Sequence, residues 1–239
     1  MIVDLFLRTY DKDIQWLPFL FRSLCRHAQG FRTLIVVTPE TSIDAVAPVV
    51  LRFKPLLLIS DAVSRVTVET CDATTLADDY TGQQVTKLRA WKYSTADEVL
   101  YLDSDLVLIR DLDPATRAGV IEARPWADAD SAVCWRGITE QLLGLVTPYE
   151  TMCRHPFQYP VQLVRRCYEH VGGVARLTQL PRGVHPSEFN LLGSYAHLVE
   201  HRPVTLVGDP AWQPDVIHAF RSWDGITPAV ETKLRQLGY

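Results

Sequence analysis

The stretch Glu98–Leu112, EVLYLDSDLVLIRDL, sets Asp103 and Asp105 between two apolar runs. The run before the acids reads as a core strand, because strands buried on both faces of a parallel sheet are continuously apolar. Ionised carboxylates are costly to bury, so the acids mark the place where this strand leaves the interior. Open parallel sheets bind their ligands beyond the carboxyl ends of the strands. Two carboxylates at i and i+2 across a tight turn there converge on one hard cation, Mg²⁺ or Mn²⁺. Capping a solvent-facing turn is the competing use of the same pair.

Working back from this strand, Thr81-Gly-Gln-Gln84 has capping-box spacing and opens a helix expected to run to about Ser94. Gln83, Lys87, Ala90 and Ser94 share one face of that helix. Earlier still, Val3–Arg8, Thr33–Thr38 and Arg65–Thr70 read as strands. One helix is expected to be capped by Asp13, with Trp16, Leu17, Leu20 and Leu24 on one face; another covers Ser42–Phe53. Alternating strand and helix over the first 110 residues predicts an α/β fold with a mainly parallel sheet flanked by helices.

Beyond Pro114 the alternation loosens and prolines punctuate short elements. Helices are expected at Val161–Val171 and Ser187–Glu200, followed by an apolar strand PVTLVG, a short run DVIHAF and a closing helix Pro228–Leu237. No linker separates independent units. The expected organisation is therefore one domain, with a ligand-binding half (1–113) and a second half (114–239).

The 239 residues are 47% apolar and 22% charged, the balance of a packed soluble chain. A net charge of −4 supplies no global attraction to polyanions. Five scattered cysteines without a C-x-x-C pair fit a reducing, cytoplasmic setting. The opening residues carry Asp4 and Arg8 within their apolar stretch, unlike a signal peptide, and no apolar run approaches the length of a bilayer span.

Tyr80–Pro114 resembles the core of a GT-A glycosyltransferase, in which a helix bearing Gln and Lys leads into a strand, a D-x-D turn and a short apolar strand. It is similar to the glycogenin and lipopolysaccharide-galactosyltransferase group. It also resembles an uncharacterised bacterial glycosyltransferase-like family that shares the QQ…KL…LDSD run and a later segment, here SEFNLLGSYA. The resemblance implies a Rossmann-like GT-A domain and a nucleoside diphosphate sugar as donor, a UDP-sugar first among these. It further implies Mn²⁺ or Mg²⁺ on Asp103 and Asp105, with Asp103 also reaching the donor ribose beside Ser104.

Other residues take expected roles from position. His218, in DVIHAFRSW, is a candidate third metal ligand; in the glycogenin-like group the corresponding histidine is followed by a glycine and a lysine, which are absent here. Arg221 and Ser222 follow it and face the diphosphate in this reading, as do Gln83 and Lys87. Thr9, Tyr10 and Asp11, after the first strand, would receive the base and ribose. Glu188 is the candidate base for an inverting transfer, and Asn190 would lie beneath the sugar in a retaining one. Plainer uses exist for each: a structural histidine, solvated helix faces, and a carboxylate favouring a helix N-terminus.

The acceptor is expected to be a glycan or a lipid-linked glycan. Arg154, Arg165, Arg166, Arg176 and Arg182, against Glu169 alone, keep a modified base in DNA as an alternative acceptor. Two further alternatives are a haloacid-dehalogenase-like phosphatase, since DSDLV fits its D-x-D signature, and a non-catalytic sugar-nucleotide-binding module.

Overall fold

The computed structural model describes residues 1–71, 79–129, 133–153, 155–181, 184–207, 216–220 and 225–239. Strands β1 (Val3–Arg8), β2 (Phe31–Pro39), β3 (Val63–Cys71) and β4 (Glu98–Leu102) pair in parallel, with Leu5 between Leu34 and Leu100. The chain then makes shorter strands: β5 (Leu106–Leu108), β6 (Glu122–Pro125), β7 (Tyr149–Glu150), β8 (Phe157–Pro160), β9 (Thr205–Leu206) and β10 (Ile217–Ala219). Of these, β8 joins the central sheet antiparallel to β4, giving the order β3-β2-β1-β4-β8. Both halves of the sequence thus build one mixed, mainly parallel sheet within one compact α/β domain.

The central strands bury both faces, and alternation sorts their side chains. Val3, Leu5, Leu7, Leu34, Val36, Leu100 and Leu102 pack beneath α1 (Leu17–His27) and α2 (Ile43–Ile59). Phe6, Ile35, Val37, Val99 and Tyr101 face a second core. That core is covered by α3 (Asp79–Leu88), α4 (Val133–Leu143), α5 (Val161–His170), α6 (Gly173–Leu177) and α7 (Glu188–Leu198). A last helix, α8 (Pro228–Gln236), begins at Thr227, whose hydroxyl accepts from Val230 N at 3.3 Å. Asp4 is the one acid within β1, and Arg32 Nε (2.9 Å) and Ser94 Oγ (2.6 Å) satisfy it at the amino end of the sheet.

Several boundaries differ from the sequence reading. The helix expected over Thr81–Ser94 starts at Asp79 and stops at Leu88, where a 3₁₀ turn over Ala90–Lys92 takes over. Thr81 therefore lies within the helix, and its hydroxyl lies 3.0 Å from His185 Nδ1. Asp13 sits in a 3₁₀ turn (Asp11–Asp13) and does not cap α1, although Trp16, Leu17, Leu20 and Leu24 are buried as expected. Helix α2 runs past Phe53 to Ile59, through Pro48 and Pro55, because Val46, Val50, Phe53 and Leu57 form a continuous buried stripe. The expected strand PVTLVG shrinks to the exposed pair Thr205–Leu206 on β6. Helix α4 was not foreseen.

Helix α7 approaches the chain closely at Gly193. A Cβ there would meet the Thr151 side chain at 2.4 Å, while Thr151 N is fixed by Asn190 Oδ1 at 2.8 Å. Gly193→Ala should therefore destabilise the domain by roughly 1–3 kcal/mol. Gly137→Ala in α4, where a Cβ meets nothing within 4 Å, should stabilise it by up to about 1 kcal/mol. Urea midpoints of the two variants should move in opposite directions.

Candidate functional site

Strand β4 ends at Leu102, so Asp103 and Asp105 lie at the carboxyl rim of the parallel sheet. Alternation continues one step beyond the strand. Leu100 and Leu102 face α1 and α2, Val99 and Tyr101 face the other layer, and Asp103 falls on the Tyr101 side. There Asp103 Oδ1 accepts from Lys87 Nζ at 2.6 Å. The same ammonium donates to Glu188 Oε1 at 2.7 Å and lies 4.9 Å from the centre of the Phe189 ring. Tyr101 OH donates to Lys87 O at 3.1 Å, tying the end of α3 to β4.

Glu188 is held equally firmly. Ser187 caps α7, its hydroxyl accepting from Asn190 N at 3.2 Å. The backbone N–H of Glu188, one of the donors a helix start leaves without a partner in its own helix, donates to Gln84 Oε1 at 3.1 Å. Helices α3 and α7, about a hundred residues apart in sequence, thereby lock together around a buried carboxylate–ammonium–carboxylate bridge. His155 closes it from the side of β8, with Nε2 at 3.8 Å from Asp103 Oδ2 and its ring against Phe157.

The electrostatics follow from burial competing with these partners. Burial would raise Asp103, but the Lys87 ammonium and His155 outweigh it and hold the carboxyl below its ordinary range. Burial would depress Lys87, but Asp103 and Glu188 together raise it above the ordinary lysine range. For Glu188 burial wins over Lys87 and the carboxyl is raised. Burial pushes the His155 imidazole down to about 4 against the pull of Asp103, and its Nδ1 has no hydrogen-bond partner among the described residues. His155 is therefore neutral at pH 7.

That depression has a stability consequence. As pH falls below about 6.5 the unfolded chain takes a proton on His155 that the folded chain refuses until about pH 4, so stability drops through this window. The drop should amount to roughly 3 kcal/mol. His155→Phe, measured by urea denaturation in EDTA, should flatten the slope between these limits. An unchanged slope would contradict the assignment.

The remaining expected residues divide. Ser104 Oγ donates to Thr9 Oγ1 at 3.0 Å, which joins the ends of β4 and β1 and buries both hydroxyls. Tyr10 stays half-buried beside the Arg8 guanidinium (5.4 Å from the ring centre), and Asp11 is exposed, accepting from Ser42 Oγ at 3.3 Å. Gln83 is half-buried, and its neighbour Gln84 reaches Glu188. The Asn190 carboxamide oxygen accepts from Thr151 N (2.8 Å) and Met152 N (3.2 Å), while its Nδ2 is buried without a partner among the described residues.

His218 arrives by strand pairing. It lies opposite Val107 in the β5–β10 ladder, and Phe220 N donates to Asp105 O at 2.9 Å. Residues directly opposite share a face, and so do residues two apart, so His218 is the diagonal neighbour of Asp105. Burial, with a smaller push from Lys233, lowers His218 and keeps its imidazole neutral. Arg221 and Ser222 lie outside the described residues. Among the described residues, no three acidic, histidine or cysteine side chains already converge at metal-binding distances.

Sequence reasoning passed over Gln84, His155 and the neighbouring pair Tyr80 and His185, whose rings meet edge-on at 4.9 Å. Gln84 stands beside the glutamine that was singled out, and only packing decides between the two. His155 carries no periodic signal, since its contacts with Phe189 and Asp103 lie 34 and 52 residues away.

A model of the family described as "Family of unknown function (DUF6492)" matches residues 1–125, which span β1 to β6 and include Lys87, Asp103 and Asp105. No curated protein matches the chain.

Proposed function

We propose that this chain, which belongs to the DUF6492 family, is a GT-A-type, metal-dependent glycosyltransferase that moves a sugar from a nucleoside diphosphate sugar, a UDP-sugar first, to an acceptor hydroxyl. The observation that carries this reading is the D-x-D turn at the carboxyl rim of a β3-β2-β1-β4 parallel sheet. Its first acid is anchored by Lys87 and its second is paired through the backbone to the segment bearing His218.

The residues present fit a divalent cation. Asp103 and Asp105 bring two carboxylates to one rim, and burial holds the imidazoles of His155 and His218 below their ordinary range, in the neutral form that ligates a metal. Asp105, Asp103 through Oδ2, the oxygen not bonded to Lys87, and His218 would hold Mn²⁺ or Mg²⁺, oxygen donors with one imidazole. The ion would supply Lewis-acid stabilisation of the diphosphate leaving group. Lys87 fixes the rotamer of Asp103, and Glu188 fixes Lys87. With its side chain 3% exposed and its carboxylate matched by the ammonium, Glu188 suits this positioning role better than that of a base facing the acceptor. The Asn190 carboxamide oxygen is likewise spent on backbone amides, which favours support over contact with the sugar.

Tyr10 and Asp11 remain the candidates for the base and ribose. Thr9 and Ser104 shape the rim through their shared hydrogen bond. For the acceptor, the described arginines give little support to nucleic acid: Arg165 pairs with Glu169, Arg166 with Glu200, and Arg176 donates to the carbonyls of Gln141 and Leu142, while Arg154 and Arg182 lie outside the described residues. A glycan or lipid-linked glycan is the preferred acceptor. Incubation with a panel of UDP-sugars should release UDP in Mn²⁺ and not in EDTA. Release of inorganic phosphate from phosphomonoesters, with none of UDP, would favour a phosphatase instead.

A further inference from the structure

Helix α2 is apolar on both sides. Val46, Val50, Phe53 and Leu57 are buried against the sheet, yet the outward arc carries Leu51 (57% exposed), Leu56 (54%), Leu58 (38%) and Ile59 (83%). A helix hydrophobic all round is ordinarily covered on all sides, and a contiguous exposed apolar patch marks an interaction site. Around this arc lie Arg52 and Lys54 on α2 and Arg22 and Arg26 on α1, which packs beside α2 through Phe21 and Phe53 (ring centres 5.6 Å apart).

The charges are unspent. Among the described residues none of Arg22, Arg52 and Lys54 forms an ion pair, and Arg26 donates to Gly238 O at 3.1 Å. Within α1 and α2 the acid is Asp44, at the far end of α2, with Glu40 just before that helix and Asp61 just after it. The bases Arg22, Arg26, Arg52 and Lys54 therefore cluster away from Asp44 and Glu40 on a chain whose net charge is −4. Arg22, Arg26, Leu56 and Ile59 also line one cavity of about 460 Å³, closed on one side by Tyr239.

We infer that the α1–α2 face is a peripheral docking surface for an anionic lipid bilayer. Apolar side chains flanked by arginine and lysine are the composition of helices that lie in the membrane interface, apolar face toward the acyl chains and bases at the headgroups. Among the described residues no helix is long and apolar enough to cross a membrane, so the contact is lateral. A second copy fits less well. A two-fold dimer would set this patch against itself and oppose like charges.

The test is co-sedimentation of the full chain with vesicles of phosphatidylcholine, alone or with about 30% phosphatidylglycerol, a negatively charged surface. Binding should need the anionic lipid and weaken with added salt. Arg22→Gln with Arg52→Gln should lower the partition coefficient about 25-fold, from roughly fivefold per charge. Leu56→Ser with Ile59→Ser should lower it about tenfold or more. Both pairs are exposed, so circular dichroism and the thermal midpoint should stay within a few degrees of wild type. No binding to anionic vesicles, equal binding to neutral ones, or full binding by either double variant would overturn the inference. So would a concentration-dependent dimer that Leu56→Ser with Ile59→Ser abolishes, which would assign the patch to a second copy.

Discussion

Lys87→Met should lower stability by about 3–5 kcal/mol, the cost of breaking a buried ion pair and leaving its partners uncompensated. The size follows from the geometry. Lys87 and Glu188 are each 2% exposed, and the single ammonium lies within 2.7 Å of two carboxylates that, among the described residues, have no other cation so near. Removing the charge leaves Asp103 and Glu188 facing each other across a poorly solvated gap. Adding Glu188→Gln removes one of the two charges and should recover a large part of the loss. In a double-mutant cycle the two changes should therefore be strongly non-additive. Urea midpoints of the two single variants and the double variant give the cycle. A Lys87→Met cost under about 1 kcal/mol, the range of an exposed pair, would show that the bridge is open to water.

Asp105→Asn should leave the fold almost unchanged and abolish Mn²⁺-dependent UDP release, by about a thousandfold or more. Asp105 is half-exposed at the rim and contributes little apolar packing. In the proposed site, however, it is the second carboxylate of the D-x-D turn and a direct ligand of the cation, whereas Asp103 is shared with Lys87. Loss of a cation worth several kcal/mol to the leaving group corresponds to a rate factor of this order. His218→Ala should weaken the Mn²⁺ requirement less, because an imidazole is the minor donor beside two carboxylates. Asp105→Asn with wild-type turnover would remove the metal role from the D-x-D turn.

The parallel half of the sheet was readable because its strands are buried on both faces and their apolar runs stand out from the helices between them. The D-x-D turn was readable for the same reason: acids following a core strand must emerge at its end. What remained hidden depends on contacts between distant segments. Strand β8 has four residues, and only its pairing with β4 shows that FQYP belongs to the sheet. Helix α2 was expected to end at Phe53, yet the buried stripe through Leu57 outweighs the hydrogen bonds that Pro48 and Pro55 cannot make. Glu188 was legible as a special acid at a helix start. That its partner is Lys87 could not be read from the sequence, because the two are 101 residues apart and no local pattern links them. Gln83 and Gln84 differ by one position on α3, and tertiary packing alone turns Gln84 toward Glu188.

The central claim, that this rim binds a sugar nucleotide through a divalent cation, is tested most directly by thermal unfolding of the chain with a panel of UDP-sugars in Mn²⁺ and in EDTA. Ligand at about 100 times its dissociation constant adds near 2.7 kcal/mol to the folded state, which for a chain of this size raises the midpoint by roughly 5–10 °C. The expected result is such a rise with at least one UDP-sugar in Mn²⁺, lost in EDTA and lost in Asp105→Asn. No rise with any UDP-sugar, or a rise of the same size in EDTA, would contradict the account.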